Sequence, residues 1–569
     1  MVWRLLASCM VMVFTAVTAD WAAAATVRGV VTGPDGRPMG GVRVYLEDTL
    51  LATVTAPDGT YELDGVPAGD YLLTYVQFTM ATERRAITLG AKEQMVVDQA
   101  LSPNPHWLKA AAAYTPPEPE RLAHKQAYLD AVPSAPAGAP NVVVIFFDDM
   151  GYGDLSSYGN RLIQTPQIDR LAEAGVRLTE FYASSSVCTP SRAGLLTGRY
   201  PVRMHASDYV FFPEGHPVTL LRRVQGFPNA LLRDEILLPE ILAAAGYRTA
   251  MIGKWHLGDR DGHLPGDFGF ASYYGVRFSN DMQPLHIWRD STIEVPAGEV
   301  DQRHLTRLYT DEAVTFVQAT DDRPFFLYLA HTFPHVPHFA DADHVGRSEA
   351  GLYGDVIGDL DRSVGRVVEA LRARGLADNT LVVVTSDNGG DTQASVGDLR
   401  GRKSETFEGG MRVPAIFHWP DRLPAGRTVA GMAMNIDILP TVLATLGIAP
   451  PADRVIDGRD ILPMLATDAG SPHDRLFYFS GWFARLEAVR DDRYKYRLST
   501  QKPVANLLHP YPVLPFTPYT EAMLTDLVHD REAHDLSARH PAKLAELQAA
   551  IEAMQADLAE NLRGWIDTD

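Results

Sequence analysis

Asn141-Val142-Val143-Val144-Ile145-Phe146-Phe147-Asp148-Asp149 is the stretch that decides how this chain folds. Its apolar run has no polar alternation, which is what a parallel strand covered on both faces requires. A second run of the same kind, Thr380-Leu381-Val382-Val383-Val384-Thr385, follows a segment from Val356 to Leu371. In that segment the apolar positions 357, 360, 364, 367, 368 and 371 recur at helical spacing. Buried strands alternating with helices predict an α/β layered domain with a mostly parallel central sheet over residues 141–466. From about residue 467 the pattern loosens. A strand at Arg493-Tyr494-Lys495-Tyr496 and a closing helix from about Pro541 to Leu562 predict a smaller sheet-plus-helix subdomain over 467–569.

Upstream, residues 102–140 read as a linker ending in Pro133-Ser134-Ala135-Pro136-Ala137-Gly138-Ala139-Pro140. Residues 26–101 read as all-β. Short alternating runs such as Val42-Arg43-Val44-Tyr45-Leu46 and Tyr71-Leu72-Leu73-Thr74-Tyr75-Val76 are separated by Pro34-Asp35-Gly36 and Pro57-Asp58-Gly59 turns. That spacing predicts a small antiparallel sandwich, and the pattern resembles carboxypeptidase regulatory-like domains, which are transthyretin-like. No catalytic constellation falls in it. Residues 1–25 read as a cleaved targeting segment: Arg4, an apolar stretch from Leu5 to Val17, and the small residues Ala22 to Ala25. The apolar stretch is short for a membrane span, so a periplasmic or secreted protein with no stable span is expected.

The 569 residues exceed one ordinary core. A formal net charge of −20 excludes a general nucleic-acid or anionic-membrane binder, and any anionic substrate needs a local basic pocket. Once Cys9 leaves with the targeting segment, Cys188 is unpaired. Exported proteins use cysteines in pairs, so a lone one is either an inert buried thiol or a group with chemistry.

Both buried strands end in oxygen donors before a glycine or one residue short of it, Asp148-Asp149 and Asp387-Asn388. Ligands bind at the carboxyl ends of strands in open α/β sheets, so these four side chains can converge. Oxygen donors alone select a hard cation, Ca²⁺ or Mg²⁺. The other signal is Cys188-Thr189-Pro190-Ser191-Arg192-Ala193-Gly194-Leu195-Leu196-Thr197-Gly198-Arg199. Pro190 suits a first helical turn, which puts Cys188 at a helix N-terminus, an anion-attracting position, with Arg192 four residues on and on roughly the same face.

Cys188-x-Pro190-Ser191-Arg192 followed by Leu196-Thr197-Gly198 resembles the signature of the formylglycine-dependent (type I) sulfatases, arylsulfatase A-like members of the alkaline phosphatase superfamily. The resemblance runs from about Asn141 to the C-terminus. It includes Thr165-Pro166-x-Ile168-Asp169, Gly253-Lys254-Trp255-His256-Leu257-Gly258, Ser279-Asn280-Asp281, Pro334-His335-x-Pro337 and the Lys403-to-Pro414 stretch. It implies an alkaline-phosphatase-like fold and hydrolysis of sulfate esters. It further implies conversion of Cys188 to formylglycine by a formylglycine-generating or anaerobic sulfatase-maturing enzyme. The metal set implied is Asp148, Asp149, Asp387, Asn388 and residue 188, holding Ca²⁺ or Mg²⁺. Arg192, Lys254 and Lys403 are implied to hold the sulfate, Asp387 to help the attacking hydroxyl, His335 to protonate the leaving oxygen with Lys403 assisting, and His256 to act as a base. Ser279, Lys254, His335 and Lys403 are the implied substrate contacts. Two rivals remain: a phosphate or phosphonate ester hydrolase of the same superfamily, and an inactive sugar-binding protein that works through its sandwich. The stretches His205–Asp234 and Gln501–Tyr519 are expected to shape specificity.

Overall fold

The structure is a computed structural model. It describes residues 24–567 except 41, 48, 50, 57, 77–79, 81–82, 103–118, 208–209, 215, 217, 220–228, 320, 482–484 and 500–520. The targeting segment to residue 23, the Gln501–Tyr519 stretch and part of His205–Asp234 therefore lie outside the described residues. The chain divides into two compact units, whose described parts are 24–102 and 119–567.

The first unit pairs two four-stranded sheets. One holds Thr60–Val66, Ala25–Thr32, Gln94–Val96 and Gln99–Ala100; the other holds Ala52–Val54, Arg43–Leu46, Gly69–Val76 and Glu83–Leu89. Alternate residues of Ala25–Thr32 face inward, and Val27, Val31, Val44, Leu63, Leu73 and Leu89 form a core between the sheets. The expectation of a purely antiparallel sandwich is corrected in one respect. Ala25–Thr32 runs parallel to Gln94–Val96 and Gln99–Ala100, because the chain crosses to the other sheet and back before those strands form.

The second unit is built on a ten-stranded sheet. In spatial order its strands are Thr292–Val295, Ile287–Arg289, Ser272–Val276, Arg248–Lys254, Phe325–Pro334, Asn141–Asp148, Thr380–Ser386, Ala415–His418, Val176–Leu178 and Arg427–Val429. The central block from Ser272–Val276 to Thr380–Ser386 is parallel and is flanked by antiparallel Ile287–Arg289 and Ala415–His418; beyond the latter, Val176–Leu178 pairs parallel with Arg427–Val429. The unbroken apolar run now has a physical account. Val142, Val144 and Phe146 pack into the core on one face with helices Cys188–Thr197, Leu238–Ala244 and Ile438–Leu446. Val143, Ile145 and Phe147 pack into the core on the other, with helices Pro166–Glu173, Leu305–Gln318 and Gly351–Ala373. Parallel pairing carries the ends Asp148, Lys254, Pro334 and Ser386 to one edge of the sheet.

Two boundaries differ from expectation. The stretch 102–140 is not linker throughout, for Pro119–Ala131 is a helix. Its Lys125 is buried, ion-paired with Glu240 at 2.7 Å, and donates to the carbonyls of Arg233 and Glu235, while Tyr128 donates to the Ala449 carbonyl. Residues 467–567 do form a sheet (Leu476–Phe479, Leu486–Arg490, Tyr494–Arg497, Met523–Asp526) backed by helix Pro541–Glu560. Yet they belong to the same compact unit as the central sheet. The buried Lys495 ammonium ties them in, pairing with Glu408 at 3.0 Å and Glu532 at 2.9 Å. No helix among the described residues is long and apolar enough to cross a membrane.

Candidate active site

The carboxyl edge of the parallel strands gathers the acids. Asp148 ends its strand, and Asp149 follows with φ +68°, a left-handed conformation that turns the chain sharply out of the sheet. Asp387 and Asn388 leave the neighbouring strand. The Asp149 N–H donates to Asp387 Oδ1 at 3.1 Å, and Asn388 Nδ2 donates to Asp149 Oδ1 at 2.7 Å, so the two strand ends are locked together. All four side chains are buried.

The helix Cys188–Thr197 lies wholly in the interior. The thiol is buried, with Sγ 3.4 Å from Asp148 Oδ1. Burial and the adjacent Asp148 carboxylate push this thiol well above its ordinary value, so as a thiol it is a poor nucleophile. Arg192 departs from the expected role of gripping sulfate. Its guanidinium is fully buried and committed to protein: Nε and Nη2 donate to Asp387 Oδ2 at 3.0 and 2.8 Å, and Nη1 donates to the Lys254 carbonyl at 3.0 Å. It braces the carboxylates and couples the helix to the Lys254 strand.

Lys254 Nζ lies 2.5 Å from Asp148 Oδ2 and 3.2 Å from Ser279 Oγ. Lys403 Nζ lies 2.6 Å from Asp149 Oδ2. His335 presents Nε2 to Asp149 Oδ2 at 3.6 Å and keeps Nδ1 2.6 Å from the Val336 carbonyl, an acceptor, so Nδ1 carries the hydrogen. His256 is held the same way. Its Nε2 lies 2.9 Å from the Phe211 carbonyl, which makes Nε2 the N–H, and Nδ1 is buried with no protein partner. Burial, with Lys254 and Arg192 nearby, holds this imidazole well below its ordinary value. His256 is therefore neutral, with a free lone pair on Nδ1.

The electrostatics of the acids call for a cation. Asp387 is pushed up to about 6 by burial and by the Asp148 charge, despite Arg192. Burial opposes ionisation of Asp148 too, but Lys254, His335, Arg192 and Lys403 together hold its carboxyl well below the usual range. Three carboxyl groups thus share one dry site. Asn388 Oδ1 is buried with no hydrogen-bond partner, an orphaned acceptor beside them. Ligand atoms of Asp148, Asp149, Cys188 and His335 lie within 4.8 Å of one another. An oxygen-rich pocket of three carboxyl groups with an unsatisfied amide oxygen fits a hard divalent ion.

Residues 140–448 match the Sulfatase family. The chain belongs to that family. Its reaction is hydrolysis of sulfate esters, and the phosphate-ester alternative is not favoured. This sulfatase is 38% identical over 401 residues to N-acetylgalactosamine-6-sulfatase of Mus musculus, spanning 65% of this chain and 75% of the relative. It is 38% identical over 403 residues to arylsulfatase A of Homo sapiens, spanning 64% and 76%. The PsFucS1 sulfatase from Pseudoalteromonas sp. superposes with a TM-score of 0.64 at 25% identity, over 79% of this chain and 96% of that one. Ps i-CgsB, solved in complex with k-i-k-neocarrahexaose, superposes with a TM-score of 0.62 at 28% identity, over 76% and 95%. Residues 26–102 match the carboxypeptidase regulatory-like domain, and 402–506 match the N-sulphoglucosamine sulphohydrolase C-terminal region.

The structure brings together every residue singled out for the site in the sequence: Asp148, Asp149, Cys188, Arg192, Lys254, His256, Ser279, His335, Lys403, Asp387 and Asn388. Sequence reasoning missed the supports. The Phe211 carbonyl sets the His256 tautomer, and Thr189 Oγ1 donates to the His256 carbonyl at 3.1 Å while accepting from the Phe211 N–H. A backbone carbonyl has no signature in a sequence. Thr189 sits beside Cys188 and was open to notice.

Proposed function

We propose that this sulfatase is exported, acts on sulfated saccharides, and works with Cys188 converted to formylglycine beside one Ca²⁺ held by Asp148, Asp149, Asp387, Asn388 and residue 188. The observation that carries this reading is the buried set of three carboxyl groups and an orphaned amide oxygen packed against residue 188. The cation supplies Lewis-acid stabilisation of charge on the sulfate oxygens. Formylglycine supplies, as its hydrate, a hydroxyl nucleophile that the high-pKa thiol is not. An export route supplies the setting in which an unpaired cysteine needs a chemical reason.

The chain's own groups then divide the work. Lys254 and Lys403 hold sulfate oxygens, reached by small rotations away from the Asp148 and Asp149 carboxylates they touch. Ser279 Oγ, which accepts from Lys254 Nζ, contacts the sulfate from the same wall. Arg192 acts through others, fixing Asp387 and the Lys254 strand. His335, in its doubly protonated form with Nδ1–H on the Val336 carbonyl and Nε2–H facing Asp149, delivers the Nε2 proton to the departing alcohol oxygen, with Lys403 beside it. His256 Nδ1, neutral and unpartnered, takes the proton that must leave residue 188 when sulfate is released. Each proton transfer contributes about 10²–10⁴-fold. Support for a saccharide comes from the relatives, one named for N-acetylgalactosamine-6-sulfate chemistry and one bound to a neocarrahexaose. The chain is proposed to divide functionally into a targeting segment at 1–25, an accessory sandwich at 26–101, and a catalytic unit from about residue 115 that takes in helix Pro119–Ala131 and the C-terminal sheet.

The test combines mass and metal. Intact mass of the peptide containing residue 188 distinguishes aldehyde from thiol. Exhaustive chelation should abolish aryl sulfate turnover, and added Ca²⁺ should restore it along with a rise in melting temperature. Active material with an unmodified thiol, or with undiminished activity after chelation, would reject the reading.

A further inference from the structure

Strand Ser272–Val276 feeds the segment Ser279-Asn280-Asp281 at the sheet's carboxyl edge. Asn280 is buried, and its Nδ2 donates to Gln302 Oε1 at 3.1 Å and to the Pro337 carbonyl at 3.2 Å, while Gln302 Nε2 donates back to the Asn280 carbonyl. These bonds pin the segment to the His335 loop. Ser279 Oγ touches Lys254 Nζ at 3.2 Å and His335 Nδ1 at 3.5 Å. The next side chain but one is a carboxylate, Asp281. It forms no ion pair among the described residues; Ser279 hydrogen-bonds its carboxylate, its Oδ1 is buried with no hydrogen-bond partner, and the residue as a whole is only half-buried. The positive groups acting on it are His335, Lys254 and Lys403, the same groups that line the proposed sulfate pocket, and against the effect of burial they keep it ionised.

A carboxylate only accepts hydrogen bonds. It repels sulfate oxygens, and once His335, Lys254 and Lys403 turn to the sulfate its own oxygens are best served by a donor on the rest of the substrate. An aryl alcohol has none next to its ester oxygen; a sugar has hydroxyls or an amide N–H on the adjoining carbons. We propose that Asp281 is a substrate-positioning residue that accepts a hydrogen bond from an O–H or N–H beside the sulfated carbon, and so favours saccharide sulfates over aryl sulfates. This rests on the sulfatase reading above and extends it to a specificity contact. A site built around such a bond discriminates strongly, because an analogue lacking the donor leaves the acceptor unpaired.

The experiment uses the full, Ca²⁺-loaded chain with formylglycine verified by mass. Wild type, Asp281→Asn and Asp281→Ala are compared on 4-nitrophenyl sulfate and on hexoses and N-acetylhexosamines monosulfated at O2, O3, O4 or O6. The ratio of kcat/KM for the best sugar to that for the aryl ester should fall about 10–100-fold in both variants. Removing the neighbouring hydroxyl from that sugar should cost wild type a similar factor and cost Asp281→Ala nothing further. Asp281→Asn is nearly isosteric, so it reports even if the alanine variant folds poorly. An unchanged ratio overturns the proposal. So does a parallel shift of both pH profiles, which would mean Asp281 acts only through His335. Wild type that cleaves the aryl ester but no sugar also overturns it, leaving the sulfatase reading intact. Mass-verified wild type inactive on every ester removes that reading itself.

Discussion

At the residue scale, the site is a contest between buried like charges and the cations that hold them. Cys188 and Asn388 test its two halves. Cys188→Ala should fold normally, since alanine fills most of the buried space, and should lose about 10³-fold or more in kcat on aryl sulfate, with circular dichroism checking the fold. Asn388→Ala removes the orphaned oxygen but also the donor that holds Asp149. It should weaken Ca²⁺ binding at least about 10-fold by calorimetric titration, because both a ligand and a carboxylate's orientation are lost. These residues were legible because each stands where a hydrophobic run stops or a specific string begins. Arg192 was legible as a member of the site but not in its task. Only its burial and its three donors' partners show that it braces acids instead of reaching for sulfate.

At the element scale, two positions show how strand and helix ends are made to serve the site. Gly253 precedes Lys254 with φ +106°, and a Cβ there would lie 1.8 Å from the Ala330 carbonyl oxygen of the adjacent strand. Gly253→Ala must therefore break strand pairing just where Lys254 is aimed, costing about 3 kcal/mol or more in chemical denaturation, with activity lost alongside. Asp361, on helix Gly351–Ala373, accepts the Gln167 and Ile168 N–H groups at 2.9 Å each and so caps helix Pro166–Glu173 from outside its own sequence. Burial pushes its carboxyl up from 3.8 to about 6. The folded state therefore holds this proton more tightly, and the stabilisation is full below about 3.8 and lost as pH rises through about 6. Asp361→Asn lacks that dependence. Its stability relative to wild type should rise by up to about 2–3 kcal/mol between pH 4 and pH 8, read as melting temperature against pH. Helix and strand identities were legible from period; this cap was not, because its two halves lie nearly two hundred positions apart.

At the scale of the whole molecule, the C-terminus closes on the far end of helix Cys188–Thr197. Arg199 follows that helix, is fully buried, pairs with Glu235 at 2.7 Å and donates to the Arg563 carbonyl. Arg563 itself reaches Glu235 and Asp234 at 2.8 Å. Arg121, Arg199, Arg454 and Arg563 surround the Trp565 ring at 4.7–5.5 Å. Deleting residues 561–569 strips partners from buried charges and should cost about 3–5 kcal/mol by thermal unfolding, with activity falling although no deleted residue lies in the site. In contrast, the sandwich has its own core. Residues 115–569 alone should retain aryl sulfate kcat/KM within about 2-fold, as expected when function sits in a site on one unit.

The chain's order of residues settled its layers and its family and pointed to the residues that meet in the candidate site, since hydrophobic period and short motifs are local and survive in one dimension. Three-dimensional packing settled the rest: which nitrogen of His256 is free, which carboxylates Arg192 braces, that the segment before Asn141 holds a helix, and that the last residues belong to the catalytic unit. Those outcomes come from charges and carbonyls that find each other across hundreds of positions once water is excluded, and no local pattern encodes which pairs will meet.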